Sequence, residues 1–378
     1  MIKYLKKLFR IIFFSRKSFR FPKKNNVIII DEVGSNKIKN SILKDLDFTI
    51  LHLREEKIYL PIVLLSFFNF FRYGKNAYKI TFIKFVSPKY AFTFIDTSLH
   101  ICDLMKNISD CKFIIIQNGR RQGQEIEPFR NRVEKNKLVS DYYFVFNENF
   151  ARFMKKYLKT EFIVGGSLLN NLFKKNDNSL KIKKIQYISE YHTKESVPKN
   201  VDYYKWEILP TKFTLETINQ FCQKNNLKLE IIGRIENYEK EIEFYKQFKI
   251  PFDFLKKTTE NGNYNVISND AIIVGMSSTL LDECFARFFK VAFIDIRNYF
   301  FQFFSNDTNL AFPTSSNNKG KFWINKPDKE KMTELLNYLY KIEFSDWKPI
   351  VKEWSKHFVI HDYENKIYKN ILIKENLI

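Results

Sequence analysis

The chain has 378 residues, of which 45% are hydrophobic, 17% aromatic and 28% charged. This length excludes a single small domain, and this composition excludes a disordered chain. The 63 Lys and Arg residues exceed the 42 Asp and Glu residues by 21, which suggests a polyanion, a membrane surface or an anionic substrate as partner. The heavy use of Lys, Asn, Ile, Phe and Tyr is also what an AT-rich genome produces, so the charge alone does not select a partner.

The cysteines and the lengths of the apolar runs bear on the compartment. Cys102, Cys111, Cys222 and Cys284 are scattered and form no CxxC pair, so neither a disulfide framework nor a zinc site is predicted. No apolar run reaches the ~18 residues that a membrane-spanning helix needs, and the N-terminus lacks the cleavage site of a signal peptide. We therefore expect a cytoplasmic protein that is neither secreted nor membrane-spanning.

Residues 1–24 form a basic segment whose first half has helical spacing. The apolar face contains Leu5, Leu8, Phe9, Ile12 and Phe13, and the basic residues are Lys3, Lys6, Lys7, Arg10, Arg16, Lys17, Arg20, Lys23 and Lys24. Such a segment is suited to lie on the anionic inner face of a membrane. The alternative is a helix that packs on the protein's own body with its basic face in solvent.

From Asn26 onward, short apolar runs alternate with amphipathic stretches, which is typical of parallel α/β layers. In the first half the predicted strands are 27–30, 48–53, 90–95, 113–116, 142–146 and 161–164. The predicted helices there are 38–46, 60–72, 97–108 and 148–158. Residues 170–184, rich in Lys and Asn, are predicted to be a linker.

The second half repeats the alternation. Its predicted strands are 185–189, 229–232, 252–255, 264–267, 271–274 and 291–294, and its predicted helices are 214–224, 238–248, 279–288 and 329–339. Helical spacing after Trp347 predicts a segment that crosses back to the first domain. The predicted organisation is a basic segment (1–24), a Rossmann-like domain (25–169), the linker (170–184), a second Rossmann-like domain (185–345) and a C-terminal helical segment (346–378).

The stretch SNDAIIVGMSSTLLDE, residues 268–283, combines a short apolar strand, a tight turn and a helix start. Ser277, Ser278 and Thr279 are suited to cap the helix, whose first amides would point into the crevice beyond the strand. Such a junction binds phosphate groups, and Glu283, about one turn further on, is placed to accept hydrogen bonds from a ribose. The alternative is an ordinary strand and capped helix with no ligand.

Polar residues also follow the other predicted strands, at the edge where an α/β sheet exposes its working loops. They include Asp31, Glu32, Arg54, Glu55, Glu56, Asp96, Gln117, Asn118, Gly119, Arg120, Arg121, Glu190, Tyr191, His192, Gly233 and Arg234. A carboxylate in a cleft can act as a general base or nucleophile, while arginines and helix amides stabilise a departing phosphate. For each single carboxylate the alternative is a solvated or helix-capping role.

Some familiar chemistries are disfavoured. No second histidine lies at metal-ligand spacing from His192, so a structural or substrate-binding role is expected for it. The sequence contains no P-loop, GxGxxG, HExxH or GxSxG motif. These absences argue against P-loop phosphoryl transfer, dinucleotide oxidoreduction and serine-hydrolase chemistry.

A set of short motifs, taken in order and spacing, resembles a known family. They are IDTS (95–98), IQNGRR (116–121), GGSLLNN (165–171), ISEYH (188–192), IIGR (231–234) with the following Glu239, Glu243, Phe244 and Tyr245, and SSTLLDE (277–283). The chain resembles the bacterial surface-carbohydrate biosynthesis glycosyltransferases of the GT-B fold, a group similar to the CMP-Kdo-using transferases of capsule and lipopolysaccharide O-antigen assembly. The resemblance covers residues 26–296.

The resemblance implies two Rossmann-like domains facing each other across a cleft, with a C-terminal helix packing back on the first. It implies a nucleotide-sugar donor, with a CMP-sugar favoured, held by the second domain, and a glycan or lipid-linked acceptor entering through the first. The implied residue roles are the donor phosphate for Ser277, Ser278 and Thr279, the ribose for Glu283, a phosphate or sugar carboxylate for Arg234, and other substrate contacts for Gln117, Asn118, Arg120 and His192. Asp96 is the first candidate for the catalytic carboxylate, followed by Glu190 and Asp31. No metal or other cofactor is expected.

The chain departs from the family pattern at Thr97, where Asn is expected, and at Leu281 and Asp282, where a small residue and an aromatic are expected. These departures leave the donor open. Two functions of other classes also remain: a non-catalytic scaffold with the same fold, and a polyanion-binding or nucleic-acid-binding protein. The second is disfavoured because the basic residues are dispersed and no known nucleic-acid-binding motif is present.

Overall fold

The computed structural model describes residues 13–44, 46–54, 56–97, 100–121, 138–177, 180–197, 201–234, 238–256, 262–301 and 320–378. The chain divides into two compact units. Unit 1 consists of the described parts of Met1–Asn118, Gln124–Leu172 and Asp362–Ile378, and unit 2 of those of Gly119–Gly123 and Phe173–His361.

The sheet of unit 1 is built from short, largely apolar strands. The strands of this unit are β1 Arg16–Ser18, β2 Val27–Ile30, β3 Thr49–Leu51, β4 Lys57–Tyr59, β5 Tyr90–Thr93, β6 Lys112–Ile116, β7 Leu138–Val145 and β8 Leu158–Val164. Six of them form a parallel sheet in the order β3-β2-β5-β6-β7-β8, while β1 pairs separately with β4. All four residues of β2 are buried, as expected for a parallel strand covered on both faces.

The sheet of unit 2 has the strand order of a doubly wound Rossmann fold. Its strands are β9 Lys184–Ile188, β10 Lys228–Ile232, β11 Asp253–Leu255, β12 Ala271–Gly275, β13 Lys290–Ile294 and β14 Trp323–Ile324. They are all parallel and lie in the order β11-β10-β9-β12-β13-β14. The chain adds β9 to β11 toward one edge of the sheet and β12 to β14 toward the other, so the strand order reverses between β9 and β12. In open α/β sheets this reversal point is where ligands bind. The corresponding reversal in unit 1 lies between β2 and β5.

Helices connect these strands in both units. In chain order the α-helices are α1 Ser35–Ile42, α2 Leu60–Phe68, α3 Phe70–Tyr73, α4 Ala77–Val86, α5 His100–Met105, α6 Glu148–Met154, α7 Leu209–Asn225, α8 Tyr238–Lys246, α9 Thr279–Ala286, α10 Arg297–Phe301, α11 Lys329–Lys341, α12 Phe344–Ser355 and α13 Lys366–Lys374. A π-helical turn, Tyr204–Ile208, leads directly into α7. None of the helices in the described ranges is both long and apolar enough to cross a membrane.

The C-terminal helix α13 packs on the core of unit 1, as predicted. The Tyr368 ring stacks on Phe144 with centroids 4.2 Å apart, and its hydroxyl donates to the Gly166 carbonyl over 2.9 Å. Gly165 leaves space for this ring, because a Cβ there would lie 2.6 Å from Tyr368. The preceding helix α12 belongs instead to unit 2, where the Trp347 indole donates to the Phe289 carbonyl over 3.0 Å.

The structure corrects two local predictions. The strand predicted over 264–267 is wrong, because Gly262–Val266 form a 3-10 helix. Both neighbouring positions of β9 are already taken by β10 and β12, and the Gln186 side chain instead binds the Val266 carbonyl and the Ser268 amide. The helix predicted over 60–72 is interrupted at Asn69.

The N-terminal segment is described only in its second half. Residues 1–12, which carry most of the predicted amphipathic helix, lie outside the described residues. Within the described half, Arg16–Ser18 form β1, in register with Lys57–Tyr59. The basic residues of β1 therefore lie beside the start of α2.

Candidate functional site

A cavity of about 390 Å³ lies in unit 2 at the carboxyl ends of β9 and β12, where the strand order reverses. It is lined by Ile188, Ser189, Glu190, His192, Trp206, Arg234, Asn263, Ser277, Ser278, Thr279, Leu280, Asp295 and Arg297. Almost all of these residues follow a strand directly or begin a helix. The lining therefore arises from the topology of the sheet.

The junction between β12 and α9 has the predicted strand, turn and helix. Ser278 is the N-cap of α9: its backbone is extended and its hydroxyl accepts from the Leu280 amide over 3.3 Å. The close approach of the first helical turn to the strand requires a glycine, because a Cβ on Gly275 would lie 2.8 Å from Leu281. The N-terminus of α9, which carries the positive end of the helix dipole, thus lies at the cavity.

Glu190 is a buried carboxylate at the base of this junction. It accepts from the Ser277 hydroxyl over 2.6 Å and also from the Ser277 amide, and it pairs with Arg297 over 3.0 Å. Burial acts to raise the pKa of Glu190, but Arg297 and the two Ser277 donors together hold it below its usual value. Glu190 is therefore ionised at neutral pH, and it fixes the turn that precedes α9.

A chain of alternating charges continues from Glu190 across the cavity wall. Arg297 also contacts Glu207, at 3.4 Å, and Glu207 lies 3.2 Å from the Nδ1 of His192. The Nε2 of His192 lies 2.8 Å from a guanidinium nitrogen of Arg234, which can only donate. These partners assign the proton of neutral His192 to Nδ1 and make Nε2 an acceptor.

Arg234 is the exposed end of this charge chain. Its guanidinium also donates to the carbonyls of Glu190 and Tyr191, both over 3.1 Å. Its amide donates to the buried Glu241. The side chain is thus held in place on one side and reaches solvent on the other, which suits it to bind an anion that enters the cavity.

Two further buried acids lie close to this network. Burial raises the pKa of Asp295, which lines the cavity, and raises the pKa of Asp282 to about 7. The Asp282 carboxylate lies 4.0 Å from the guanidinium of Arg120, which lowers the Asp282 pKa but does not offset burial. The Arg120 amide donates to the Thr279 hydroxyl over 2.9 Å, so Arg120 contacts the first residue of α9.

Glu283 lies outside the cavity lining. Its side chain is 4% exposed and accepts a hydrogen bond from the Tyr264 hydroxyl over 2.7 Å. Tyr264 in turn stacks on Phe173 with centroids 4.9 Å apart. Glu283, the residue after Asp282 on α9, is therefore buried in the protein beside Tyr264.

The remaining predicted residues belong to unit 1. Asp31 has a left-handed backbone (φ 78°) and accepts from the Val33 amide over 2.9 Å and from Arg54 over 3.1 Å. Asp96 is buried and accepts from the Tyr143 hydroxyl over 2.9 Å and from the Asn118 amide over 3.4 Å. The Gln117 side chain accepts from the Phe146 amide over 2.8 Å. Asp31 and Asp96 follow β2 and β5, on either side of the reversal point of their sheet.

The structure therefore brings together six of the predicted residues in one cavity: Glu190, His192, Arg234, Ser277, Ser278 and Thr279. Asp31, Asp96, Gln117 and Asn118 lie in unit 1, and Arg120 and Glu283 lie in unit 2 outside the lining. Sequence reasoning missed Trp206, Asn263, Asp295 and Arg297. Asp295 and Arg297 follow β13 directly, so the strand-end rule applied to the other strands would have found them.

The fold and the cavity define a class: a protein of two doubly wound α/β units, GT-B-like as predicted, with a ligand cavity at the reversal point of the second sheet. The chain belongs to the family described as "putative O-antigen biosynthesis protein", which matches residues 114–376. No curated protein sequence matches the chain.

Solved structures share the fold at low sequence identity. A variant of the wall teichoic acid polymerase TagF, soaked with CDPG, has a TM-score of 0.54 and 9% identity over 94% of this chain and 89% of that chain. The UDP-GlcNAc 2-epimerase of Methanocaldococcus jannaschii, in complex with UDP-GlcNAc and UDP, has a TM-score of 0.52 and 14% identity over 92% of this chain and 99% of that chain. The protein TarM is also similar, with a TM-score of 0.46 and 13% identity, and this chain spans 57% of its length.

Proposed function

We propose that the protein is a glycosyltransferase that moves a sugar from a nucleotide-activated donor to a growing surface polysaccharide or lipid-linked glycan. The observation that carries this proposal is the cavity at the reversal point of the unit 2 sheet, where the N-terminus of α9 and Arg234 come together. Open α/β sheets bind ligands at this point, and helix N-termini favour phosphate groups. Membership in an O-antigen biosynthesis family supports a surface glycan, of lipopolysaccharide or capsule, as the product.

Within the cavity, Ser278, Thr279 and Arg234 are the proposed ligands of the donor phosphate. Ser277 has a different role: its hydroxyl and amide donate to Glu190 and hold the turn between β12 and α9. Arg297 offsets the charges of Glu190 and Glu207, so neither carboxylate faces an incoming phosphate without a cation beside it. The Nε2 of neutral His192 accepts from Arg234 and so helps to hold the Arg234 guanidinium in place.

A CMP-sugar, such as CMP-Kdo or a related donor, is the favoured substrate. Its support is the motif resemblance to CMP-Kdo-using transferases. Such a donor carries two anionic groups, the nucleotide phosphate and the sugar carboxylate. The N-terminus of α9 and Arg234 both line the cavity, so both are available to the anionic groups of such a donor.

Asp96 is the proposed base for the acceptor hydroxyl. It would take the hydroxyl proton as the acceptor oxygen attacks the anomeric carbon, while the nucleotide leaves with the electron pair of the broken bond. The donors on both of its oxygens, from Tyr143 and Asn118, hold this carboxylate in one orientation. Glu190 and Asp31, which pair with Arg297 and Arg54, are the second and third candidates, as in the order that the sequence predicts.

Two assays test the chemistry apart from binding. Asp96→Asn should abolish sugar transfer while nucleotide affinity stays within about twofold of the wild type, a difference under about 0.4 kcal/mol. Loss of nucleotide affinity in this variant would contradict the assigned role. We also propose that no metal is required, and loss of activity with a chelator would contradict that.

A thermal-shift screen with CMP, CDP, UDP and GDP tests the function. CMP should raise the melting temperature most, because a ligand stabilises the state that binds it. Stabilisation by UDP or GDP alone would keep the glycosyltransferase and change the donor. No stabilisation by any of the four would favour a non-catalytic scaffold, and steeply salt-dependent DNA binding would favour a polyanion-binding protein. Peripheral contact of residues 1–24 with the inner face of a membrane also stays a proposal.

A further inference from the structure

Helices α2 and α3 of unit 1 carry an apolar surface that the described residues leave in solvent. Only Ile62 and Ser66 of α2 are buried. The exposed apolar side chains, here called the apolar ridge, are Val63, Leu64, Leu65, Phe67, Phe68, Phe70 and Phe71. Phe71 is 96% and Phe68 83% exposed. Contiguous exposed apolar side chains of this kind mark an interaction surface.

The length of the apolar run that contains the ridge limits the kinds of interaction this surface can make. Residues 58–71 read IYLPIVLLSFFNFF, a run too short to span a bilayer. Runs of about 10–14 apolar residues form buried core helices or segments that lie in a membrane interface. The exposure of the ridge excludes a core helix, since a helix that is apolar on all sides is stable in water only when it is covered.

Basic residues outnumber acidic ones around the ridge. Residues 13–30 contain five Lys and Arg and no Asp or Glu, and residues 57–95 contain six Lys and Arg and no Asp or Glu. The parallel pairing of β1 with β4 sets Arg16 opposite Lys57 and brings the two stretches together at the start of α2. Stacking of Phe21 on Phe85, with centroids 4.6 Å apart, joins them again. Asp47 pairs with Lys23 at the edge of this region.

The helices that carry the ridge are joined to α4 by side-chain hydrogen bonds. The Asn69 side chain, between α2 and α3, donates to the Thr81 hydroxyl of α4 over 3.1 Å. Lys84, also on α4, donates to the Tyr73 hydroxyl at the end of α3 over 2.7 Å. The exposed phenylalanines therefore project from helices that are tied to the body of unit 1.

We propose that the apolar ridge and the basic residues around it are a docking surface for a lipid bilayer with anionic headgroups. Phe and Leu side chains would enter the interface while Lys and Arg contact the headgroups, which is how interfacial helices bind. A second copy of the chain would bring two positive surfaces together, so charge opposes it. The proposal is independent of the proposed glycosyl transfer, and it places the main contact on α2 and α3 rather than on residues 1–24.

Vesicle co-sedimentation of the full chain tests the apolar part. With vesicles of phosphatidylcholine and phosphatidylglycerol, Phe68→Ser/Phe71→Ser should lower the partition coefficient at least about tenfold, or about 1.4 kcal/mol. The matched control, Leu180→Ser/Ile373→Ser, removes two apolar side chains that are 53% and 55% exposed and should bind as the wild type does. Unchanged binding by the ridge variant would overturn the proposal.

A second pair of variants tests the charges. Arg72→Glu/Lys75→Glu should weaken binding to the anionic vesicles about tenfold and leave the weak binding to pure phosphatidylcholine unchanged. Lys155→Glu/Lys159→Glu makes the same change in net charge at two exposed positions, one directly after α6 and one in β8, and should have little effect. A wild-type dimer that Phe68→Ser/Phe71→Ser converts to a monomer, with no vesicle binding by either, would assign the ridge to a second copy and refute the proposal.

Discussion

The two units have the same kind of parallel sheet, but the polar residues at their strand ends do different things. In unit 2, Glu190 and Arg297 follow strands and support a cavity that opens at the N-terminus of α9. In unit 1, Asp31 closes a turn and pairs with Arg54, and Asp96 accepts from Tyr143. Strand-end acids of the two sheets therefore differ in their partners: Glu190 supports a cavity beside a helix N-terminus, whereas Asp31 and Asp96 accept hydrogen bonds from their own unit.

The largest expected effect concerns the ion pairs of the two units. Arg297→Met should lower the free energy of unfolding by about 3–5 kcal/mol, because Glu190 and Glu207 would stay buried without their cation. Urea denaturation at neutral pH measures this. Arg54→Met is the control in unit 1; Asp31 is also buried but keeps the Val33 amide as donor, and the Arg54 side chain is 51% exposed, so the loss should be only about 1 kcal/mol. Equal losses in the two variants would remove the distinction between the units.

We expect the buried Asp282 to give the free energy of unfolding an unusual pH dependence. Its pKa of about 7, against an ordinary 3.8, means that the folded protein binds this proton more tightly than the unfolded chain does. Its contribution to stability therefore falls as pH rises from about 4 to about 7. Asp282→Asn should raise the free energy of unfolding at pH 8 by roughly 2–4 kcal/mol, with the gain shrinking toward pH 5. The exposed Asp253→Asn should show no such gain, and a flat difference for Asp282→Asn would contradict the buried-acid account.

Substitution of Ser278, the N-cap residue of α9, distinguishes a structural role of this residue from a role in nucleotide binding. Ser278→Ala should lower the free energy of unfolding by about 1 kcal/mol and also weaken nucleotide binding. Asp328→Ala removes the matching cap of α11, where the side chain accepts from the Lys331 amide over 3.0 Å. It should cost similar stability and leave nucleotide affinity unchanged. Equal affinity losses would show that Ser278 acts through stability alone.

The smallest effect is expected at Glu283. Because it is buried and bonded to Tyr264, Glu283→Gln should change nucleotide affinity less than about threefold, or about 0.7 kcal/mol. Calorimetric titration measures this change. A loss of tenfold or more would support the ribose contact that the sequence predicts for this residue.

Much of the fold is readable from the sequence because parallel strands covered on both faces are continuous apolar runs. VIII at β2 and AIIVG at β12 are such runs, and the polar residues after them lie at the exposed edge of the sheet. The cap at Ser278 follows the same local logic. These features depend on a few consecutive residues, so they do not need the tertiary structure.

The rest depends on contacts between distant segments. Trp206 reaches the cavity, and Glu207 reaches Arg297 and His192, from a π-helical turn that no local pattern indicates. The helix at Leu60–Phe68 is predictable, but an unbroken apolar pattern does not tell which sides are covered. Asp282 and Glu283 are adjacent in sequence, and only the packing of α9 distinguishes the acid beside Arg120 from the acid beside Tyr264.

The proposed glycosyl transfer requires that unit 2 bind the nucleotide of the donor in the cavity beside Arg234. Calorimetric titration of the most stabilising nucleotide into the wild type and Arg234→Gln tests it most directly. We expect Arg234→Gln to bind at least about tenfold more weakly, or about 1.4 kcal/mol. Arg152→Gln, at an exposed position in unit 1, should bind as the wild type does. Equal affinity of the wild type and Arg234→Gln would contradict the claim.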